Sequence, residues 1–313
     1  MSYPQGRLYR SGPAAQCLDE TQAVPAVSAA PSSTAYVFAG GGSLGAVEVG
    51  MLHALTEQGL RPDFVVGASA GAINAAYFAA DPSAAGVLKL DQLWRGLTRR
   101  HVMPMGLRNL LRMLMRRDYL IDPSQLRHLL EQHLPYRLLE RAVLPLHVVA
   151  TDMVLGHEVL LSQGSVVDAV MASTAIPGVF PPVHINGRDL IDGGVANNTP
   201  ISSAVALGAT RIVVLPTGFA CALRGVPQSA VGRALHALSL LVARQLVGDI
   251  ERFSTRAALH VVPPLCPVNS SPYDYSACAG LIDRATLSTR EWIARGGLDR
   301  PGGVPQQMTE HRH

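Results

Sequence analysis

The sequence predicts an α/β fold, a three-layer α/β/α sandwich with a mainly parallel central sheet. Two observations indicate this fold. With 313 residues, 48% of them hydrophobic, the chain is long enough to bury a large core. Short apolar runs typical of buried strands alternate with helical segments, and this alternation favours parallel strands with helices on both faces. The apolar runs are YVFAG, DFVVG, LHVVATD, RIVVLPTG and LHVVPPL.

The predicted elements follow one another in a regular order. The strand YVFAG leads into a helix with one apolar face that ends at Gly59. The strand DFVVG leads into the helical segment AINAAYFAA, and further helices are expected near residues 165–171, 228–253 and 277–294. The apolar face of the first helix consists of Leu44, Val47, Met51, Leu52 and Leu55.

The composition divides the chain into one domain and two tails. Residues 1–33 are rich in Ser, Ala, Pro, Gln and Gly without periodicity, so we expect a flexible N-terminal tail. The predicted domain covers residues 34–297, and residues 298–313 are expected to form a C-terminal tail. A helical, arginine-rich insertion at about residues 95–140 interrupts the alternation.

Two apolar stretches raise the question of membrane contact. Within the insertion, residues 103–117 set leucines against arginines, which fits peripheral contact with a membrane, a lid over a pocket, or an amphipathic helix covering the core. The longest apolar stretch, residues 229–250, contains Arg233, Arg244 and Asp249. Charges at this density predict a buried or half-buried helix instead of a membrane span.

Composition also excludes several function classes. The 26 basic and 23 acidic residues leave a net charge of +3, too small for a nucleic-acid-binding surface. The four cysteines, Cys17, Cys221, Cys266 and Cys278, lack metal-ligand spacing. The N-terminus lacks the apolar run of a signal peptide, so we expect a cytoplasmic protein, at most peripheral at a membrane.

The first glycine-rich loop fits two kinds of site. GGGSLGAVEVG, which begins at Gly40, matches the dinucleotide-binding pattern G-x-G-x-x-G, with Gly40, Gly42 and Gly45 in the glycine positions. Such a site also needs an acidic residue at the carboxyl end of the next strand. The nearest acidic residue, Asp63, stands at the start of that strand. A dinucleotide site is therefore disfavoured, and we expect no cofactor.

The carboxyl end of the second strand carries a different motif. GASAG, from Gly67 to Gly71, is a G-x-S-x-G pattern that places Ser69 on a sharp turn between strand and helix. The flanking glycines relieve crowding and leave the hydroxyl exposed. A random G-x-S-x-G is often only a structural turn, but a strand before it and a helix after it favour a nucleophile.

The glycine loop and Ser69 are predicted at the ends of neighbouring strands. This arrangement is typical of an oxyanion hole beside a nucleophile, with the backbone N–H groups of Gly41 and Gly42 as donors.

A serine nucleophile needs a base, and DLIDGGVANNTP supplies a candidate in Asp192. The aspartate follows an apolar run and precedes Gly193 and Gly194, so a tight turn leaves room beside its carboxylate. A lone D-G-G is most often an Asx turn. Because the glycine loop and the G-x-S-x-G motif precede it, we favour a general base over an Asx turn for Asp192.

Together these motifs resemble those of the patatin-like phospholipase family. GGGSLG resembles its oxyanion loop, GASAG its nucleophile elbow and DGG its aspartate motif, and the similarity covers roughly residues 35–215. The resemblance implies a patatin-like fold and a dyad in which Ser69 attacks the acyl carbonyl and Asp192 is the general base. It also implies an oxyanion hole at Gly40, Gly41 and Gly42, with a lipid or other acyl ester as substrate and no metal.

One position departs from the family pattern. The family usually has Arg or Lys where this chain has Leu44. The substitution puts a preference for anionic phospholipid headgroups in doubt more than it does the acyl chemistry.

Alternatives remain at this point. A Ser-Asp-His triad would need His260 or His236, which lie in an apparent strand and an apparent helix. A catalytically silent lipid- or protein-binding module with the same fold, a thioesterase and an acyltransferase also fit the motifs. The sequence does not indicate an oligomeric state.

Overall fold

A computed structural model of the chain describes residues 32–98, 102, 121–218, 230–266, 268, 271–305 and 308. Most of the predicted N-terminal tail and all of residues 103–117 lie outside these residues. The strands are β1 (Thr34–Phe38), β2 (Phe64–Ala68), β3 (Leu146–Asp152), β4 (Glu158–Leu161), β5 (Val183–Ile185), β6 (Arg188–Asp192), β7 (Arg211–Leu215) and β8 (Ala258–Val261). The helices are α1 (Ala46–Glu57), α2 (Ala70–Ala80), α3 (Ala84–Gly96), α4 (Ser124–His133), α5 (Val166–Ser173), α6 (Gly194–Asn197), α7 (Ile201–Ala206), α8 (Ala230–Phe253) and α9 (Cys278–Ala294).

The strands form one mixed sheet in the order β5-β6-β3-β2-β1-β7-β8, and β4 pairs with β3. The five predicted apolar runs form β1, β2, β3, β7 and β8, which pair in parallel. The mainly parallel sheet is therefore confirmed. Among the eight strands, each antiparallel pair includes β4, β5 or β6.

Helices cover both faces of the sheet, which confirms the three layers. Successive residues of a strand point to opposite faces. In β1, Tyr36 and Phe38 pack in the core beneath α1–α5 and α9, while Ala35 and Val37 pack in the core beneath α7 and α8. Each face of the sheet is therefore buried, as the continuous apolar strands predict.

The segment predicted as a C-terminal tail partly packs on the domain. Gly302 N–H donates to the Leu259 carbonyl at 2.9 Å, and Arg211 donates to the Leu298 carbonyl at 2.9 Å. Met308 is buried in the core beneath α8, with Val304 packed against the same core. These apolar side chains cover the sheet near β8, which is why this part of the chain follows the domain surface.

The long apolar stretch at residues 229–250 forms most of α8. Leu246 and Ile250 are buried against the sheet, while Leu241 is 65% exposed, so the described part of this helix is half-buried as predicted. Among the described residues, no helix combines the length and apolar character needed to cross a membrane.

Candidate active site

The glycine loop and the predicted nucleophile meet at the carboxyl ends of β1 and β2. These strands pair in parallel with Phe38 opposite Gly67, so the segments that follow them leave the sheet side by side. A Cβ atom placed on Gly40 would lie only 3.0 Å from the Cβ of Ser69. The loop at residues 40–42 therefore borders the serine directly.

Ser69 occupies a strained turn between β2 and α2. Its φ of 52° and ψ of −124° lie in a region that residues with a side chain rarely adopt. Gly67 and Gly71 make the turn possible: a Cβ on Gly71 would lie 2.5 Å from the Phe38 carbonyl oxygen, and one on Gly67 would lie 2.5 Å from the Gly71 oxygen. The sharp turn predicted from G-x-S-x-G is present.

Asp192 reaches Ser69 across the end of β3. Ala68 pairs with Val149 of β3, and Asp192, the last residue of β6, pairs with Ala150. This register brings two residues that are 123 positions apart to the same level of the sheet. The Ser69 hydroxyl donates to Asp192 Oδ2 at 2.7 Å. The two predicted dyad residues thus form a direct hydrogen bond.

The Asp192 carboxyl group is buried, with a residue exposure of 6%. Burial raises its pKa from an ordinary value of 3.8 to about 6, because a charged carboxylate is poorly solvated there. Hydrogen bonds from the Ser69 hydroxyl and, at 2.7 Å, from Gly194 N–H to Oδ1 oppose this rise. The result is a carboxylate with more proton affinity than a surface aspartate.

Ser173, at the end of α5, fixes the backbone of the elbow. Its hydroxyl accepts from the Ser69 N–H at 2.8 Å and donates to the Val149 carbonyl at 2.5 Å. Thr151 fixes the other partner by donating to the Asp192 carbonyl at 2.8 Å. Neither residue was predicted, since an isolated Ser or Thr beside a strand or helix carries no sequence signal of its partner.

Gly40 anchors the glycine loop and is not a free donor. Its N–H donates to the Asn198 carbonyl at 2.9 Å, and its carbonyl accepts from Thr217 Oγ1 at 2.7 Å and from Asn198 Nδ2 at 3.2 Å. The prediction that Gly40 belongs to the donor set of an oxyanion hole is therefore corrected, because its N–H is already bonded.

Within the described part of the chain, the backbone N–H groups of Gly41 and Gly42, unlike that of Gly40, are free to donate. No described residue accepts a hydrogen bond from the N–H of Gly41 or Gly42. Gly42 has a φ of 59°, and a Cβ on it would collide with the Pro272 carbonyl oxygen, so both its conformation and its surroundings require glycine. Gly41 and Gly42 remain the predicted donors.

The remaining predicted glycines permit close packing around the site. A Cβ on Gly45 would lie 2.9 Å from the Trp94 ring, and one on Gly194 would lie 3.0 Å from Asp192 Oδ1. A Cβ on Gly193 would collide with the Val149 carbonyl. Each glycine brings backbone against a group that supports the dyad or its loop.

A segment before α9 lies across the glycine loop and was not predicted. Ser43 donates from its N–H to the Pro272 carbonyl at 2.8 Å and from its hydroxyl to the Ser271 carbonyl at 3.1 Å. Tyr273 is half-buried, and its pKa is raised by burial and further by the charge of Asp192. Tyr273 therefore lies within electrostatic range of the dyad, although its surroundings in the sequence are typical of a loop.

The structure does not favour a Ser-Asp-His triad. His260 lies in β8, where its ring nitrogen Nδ1 contacts the Gly297 carbonyl at 3.1 Å. The His236 side chain lies outside the described part of the molecule. Among the described residues, no histidine hydrogen-bonds to Ser69 or Asp192.

Three further features bear on whether the site binds a dinucleotide, carries a cation beside the glycine loop, or holds a metal ion. The Asp63 carboxylate accepts from the Thr34 N–H at 2.7 Å, at the amino ends of β1 and β2 and away from the glycine loop. Leu44 is half-buried and packs against the core next to Gly218. Within the described ranges, no three His, Cys, Asp or Glu side chains are arranged to hold a metal ion.

The chain is similar in sequence to proteins of bacteria and of mammals. An uncharacterized NTE family protein of Mycobacterium tuberculosis is 33% identical over 174 residues, which cover 54% of this chain and 27% of that protein. Patatin-like phospholipase domain-containing protein 7 of Mus musculus is 27% identical over 193 residues, 60% of this chain and 14% of that protein. The matched segment thus spans less than a third of the length of either relative.

Among solved structures, VipD from Legionella pneumophila aligns with 86% of this chain and 67% of its own, at 15% identity and a TM-score of 0.43. The family model described as patatin-like phospholipase matches residues 36–205, more than half of the chain and the part that contains Gly40, Ser69 and Asp192. With that match, and with relatives of the same family, the chain belongs to the patatin-like phospholipases.

Proposed function

We propose that this protein hydrolyses carboxylic ester bonds of lipids, phospholipids included, through an acyl-enzyme on Ser69 with Asp192 as the general base. The observation that carries the proposal is the hydrogen bond of 2.7 Å between the Ser69 hydroxyl and the buried Asp192 carboxylate, at the end of a strained strand-to-helix turn. Family membership supports a lipid as the substrate.

In the first half of the reaction, Ser69 Oγ attacks the acyl carbonyl while its proton moves to Asp192 Oδ2. The carbonyl oxygen becomes an oxyanion, which accepts from the N–H groups of Gly41 and Gly42. Each such donor contributes about 3–4 kcal/mol when it meets the developing charge. The tetrahedral intermediate then collapses, the ester C–O bond breaks, and the leaving alcohol takes the proton from Asp192.

In the second half, a water molecule attacks the acyl-enzyme carbonyl. Asp192 removes a proton from the water, the same two N–H groups stabilise the oxyanion, and the bond to Ser69 Oγ breaks. The serine recovers its proton from Asp192, and a fatty acid leaves. The steps balance with the residues of this chain and one water.

The burial of Asp192 supports its role as a base. A general base is most effective when its pKa lies near the working pH. An aspartate with its usual pKa near 4 is a weak base, whereas the pKa of about 6 at this site gives the carboxylate more proton affinity while it remains ionised at neutral pH. This is why a dyad without histidine is a workable arrangement.

The side chain of Leu44 affects which headgroup charge the substrate can carry. An apolar group stands next to the glycine loop where the family usually has a cation, so the loop offers no charge to an anionic headgroup at that position. We therefore propose neutral or zwitterionic esters as the preferred substrates.

Hydrolysis of p-nitrophenyl esters of increasing chain length, alongside phosphatidylcholine and phosphatidylglycerol, tests the proposal. We expect hydrolysis of long-chain esters, loss of at least about a thousandfold in kcat for Ser69→Ala and Asp192→Asn, and little change for His260→Ala. Preference for short soluble esters alone would contradict the lipid assignment. Loss of activity in His260→Ala with retention in Asp192→Asn would contradict the dyad.

A further inference from the structure

A set of exposed apolar side chains stands beside the candidate active site. Three of them, Met153, Val154 and Leu155, are consecutive in the turn between β3 and β4 and are 55%, 84% and 62% exposed. Apolar side chains that are exposed singly are common, but a contiguous group marks a contact surface. Other strongly exposed apolar residues of the described chain, such as Leu88, Val143 and Leu287, come singly along the sequence.

The turn that carries these side chains is held by its backbone. Asp152 Oδ1 accepts from the N–H groups of Val154 and Leu155, each at 3.0 Å, and the Asp152 carbonyl accepts from Gly156 N–H at 2.8 Å. Met153 N–H donates to the Asp189 carbonyl at 2.9 Å, which ties the turn to β6. Every N–H from 152 to 156 is therefore bonded, and the exposed side chains project from an ordered turn.

The turn lies close to the dyad. Asp192 pairs with Ala150, and the turn begins three residues further along the chain, at Met153. At about 3.3 Å per residue, this places Met153 roughly 10 Å beyond the level of Asp192, in the direction in which β3 points. That is the end of the sheet where Ser69 and the glycine loop are also found.

Two further apolar residues extend the surface. Val195 is 51% exposed in α6, and the neighbouring Ala196 N–H donates to Thr151 Oγ1 at 3.2 Å, so α6 lies against the end of β3. Gln245 of α8 donates to the Ala196 carbonyl at 3.0 Å, and Leu241, one helical turn before it, is 65% exposed. We name these five residues the apolar corner: Met153, Val154, Leu155, Val195 and Leu241.

We propose that the apolar corner inserts into a lipid surface and thereby holds the active site against the layer that contains its substrate. Four features favour a lipid surface over a protein partner. The side chains are exposed, backbone hydrogen bonds hold the turn, and the catalytic dyad lies at the same end of the sheet. Arg188 and His157 are exposed and lie within electrostatic range of Asp152 at the turn, a position suited to phosphate headgroups. The inference rests on the proposed lipid substrate.

Binding to vesicles of phosphatidylcholine tests the inference independently of hydrolysis. The full chain carries Ser69→Ala, so that the vesicles stay intact, and is compared with the same chain carrying Val154→Ser and Leu155→Ser. We expect the double substitution to lower the vesicle partition coefficient by at least about tenfold, since two apolar side chains no longer leave water. The matched control is Val143→Ser, because Val143 is 60% exposed but precedes β3 at the opposite end of the sheet.

A second measurement gives a positive signal. Tryptophan fluorescence of Val154→Trp should shift to the blue on addition of vesicles, whereas that of Val143→Trp should not. Equal vesicle binding by the double variant and its parent, or no binding by the parent, would overturn the inference. So would a blue shift at both positions or at neither.

Hydrolysis of soluble p-nitrophenyl butyrate by the variants with Ser69 intact separates this inference from the proposed function. We expect rates within about twofold of the unsubstituted chain, because the corner does not touch the dyad. Failure of the hydrolysis in the unsubstituted chain would count against the proposed function, whereas normal hydrolysis with unchanged vesicle binding would count against the apolar corner alone.

Discussion

At the scale of single residues, the chemistry depends on the burial of one carboxylate. Asp192 is buried and forms no ion pair with a described Lys, Arg or His. Its carboxylate accepts hydrogen bonds from the Ser69 hydroxyl and from Gly194 N–H. Its pKa is therefore raised to about 6. Two opposite consequences follow, one for activity and one for stability.

The activity should depend on pH with the ionisation of Asp192. Only the carboxylate accepts the serine proton, so kcat/KM should fall as pH drops through about 6 and reach a plateau above about 7. The pH profile of p-nitrophenyl butyrate hydrolysis measures this. A profile that stays flat down to about pH 4.5 would contradict the assignment of the base.

The same burial should make Asp192 unfavourable for stability. Its folded pKa of about 6 exceeds the ordinary 3.8, so the folded state loses stability as pH rises from about 4 to about 6 and keeps that deficit above it. Asp192→Asn removes the charge and keeps an acceptor for Gly194 N–H. We expect it to raise the free energy of unfolding by about 3 kcal/mol near pH 7.

Urea unfolding measures this difference, which should vanish at about pH 3, below both pKa values, where the carboxyl is largely neutral in the folded and the unfolded state alike. A variant that is less stable than the parent at both pH values would refute the argument.

At the scale of elements, a buried polar network joins the three helices behind the glycine loop. Asn74 of α2 donates to the Gly45 carbonyl at 2.9 Å and to Glu48 of α1 at 2.7 Å, and accepts from Trp94 of α3 at 2.7 Å. Glu48 in turn accepts from Ala39 N–H at 2.7 Å, next to Gly40. Burial raises the pKa of Glu48 well above its usual range.

Removing the centre of this network should be costly. Asn74→Ala leaves the Trp94 N–H and Glu48 Oε2 without their hydrogen-bond partner and removes a bond to the Gly45 carbonyl. Each unsatisfied buried group costs about 1–3 kcal/mol. We expect a total loss of at least about 3 kcal/mol by urea unfolding, against less than about 0.5 kcal/mol for the exposed control Gln58→Ala. A loss as small as that of the control would show that the network contributes no stability.

The elbow depends on a close approach of α2 to β1. Alanine normally stabilises a helix relative to glycine by about 0.5–1 kcal/mol. At Gly71 the new Cβ would meet the backbone of Phe38 and Ala39 at 2.5 and 2.6 Å, so we expect Gly71→Ala to destabilise by at least about 2 kcal/mol. Gly248 of α8 has open space around it and serves as the control.

Thermal or urea unfolding of the two glycine variants gives the comparison. Gly248→Ala should be neutral or stabilising. Equal effects at the two positions would mean that the approach of α2 to β1 does not limit the residue at 71.

At the scale of the whole molecule, the sequence predicts the parallel strands because each is a continuous apolar run buried on both faces. It does not predict β4 or β5, because most of their residues are half-buried or exposed, unlike those of the parallel strands, and the segments are too short to show a pattern of their own. Ser69 and Asp192 are predictable from local motifs. Glu48 is not, because a glutamate within an amphipathic helix is typical of the solvent face.

Residues that act across the fold are also beyond local patterns. Ser173, Thr217 and Asn198 each bond to the elbow or to Gly40 from a distant part of the chain, and only the three-dimensional pairing reveals their partners. The sequence likewise does not show that the Gly40 N–H donates to the carbonyl of Asn198, 158 positions away. Motifs therefore identify which residues react, while the fold identifies which residues hold them.

Acyl-ester hydrolysis at this site requires one reactive serine. Labelling with a fluorophosphonate, followed by mass spectrometry of the digested protein, tests this most directly. We predict a label on the peptide that contains Ser69, none in Ser69→Ala, a rate at least about a hundredfold slower in Asp192→Asn, and no more than about a twofold change in His260→Ala. A label on another residue, or an unlabelled parent protein, would contradict the central claim.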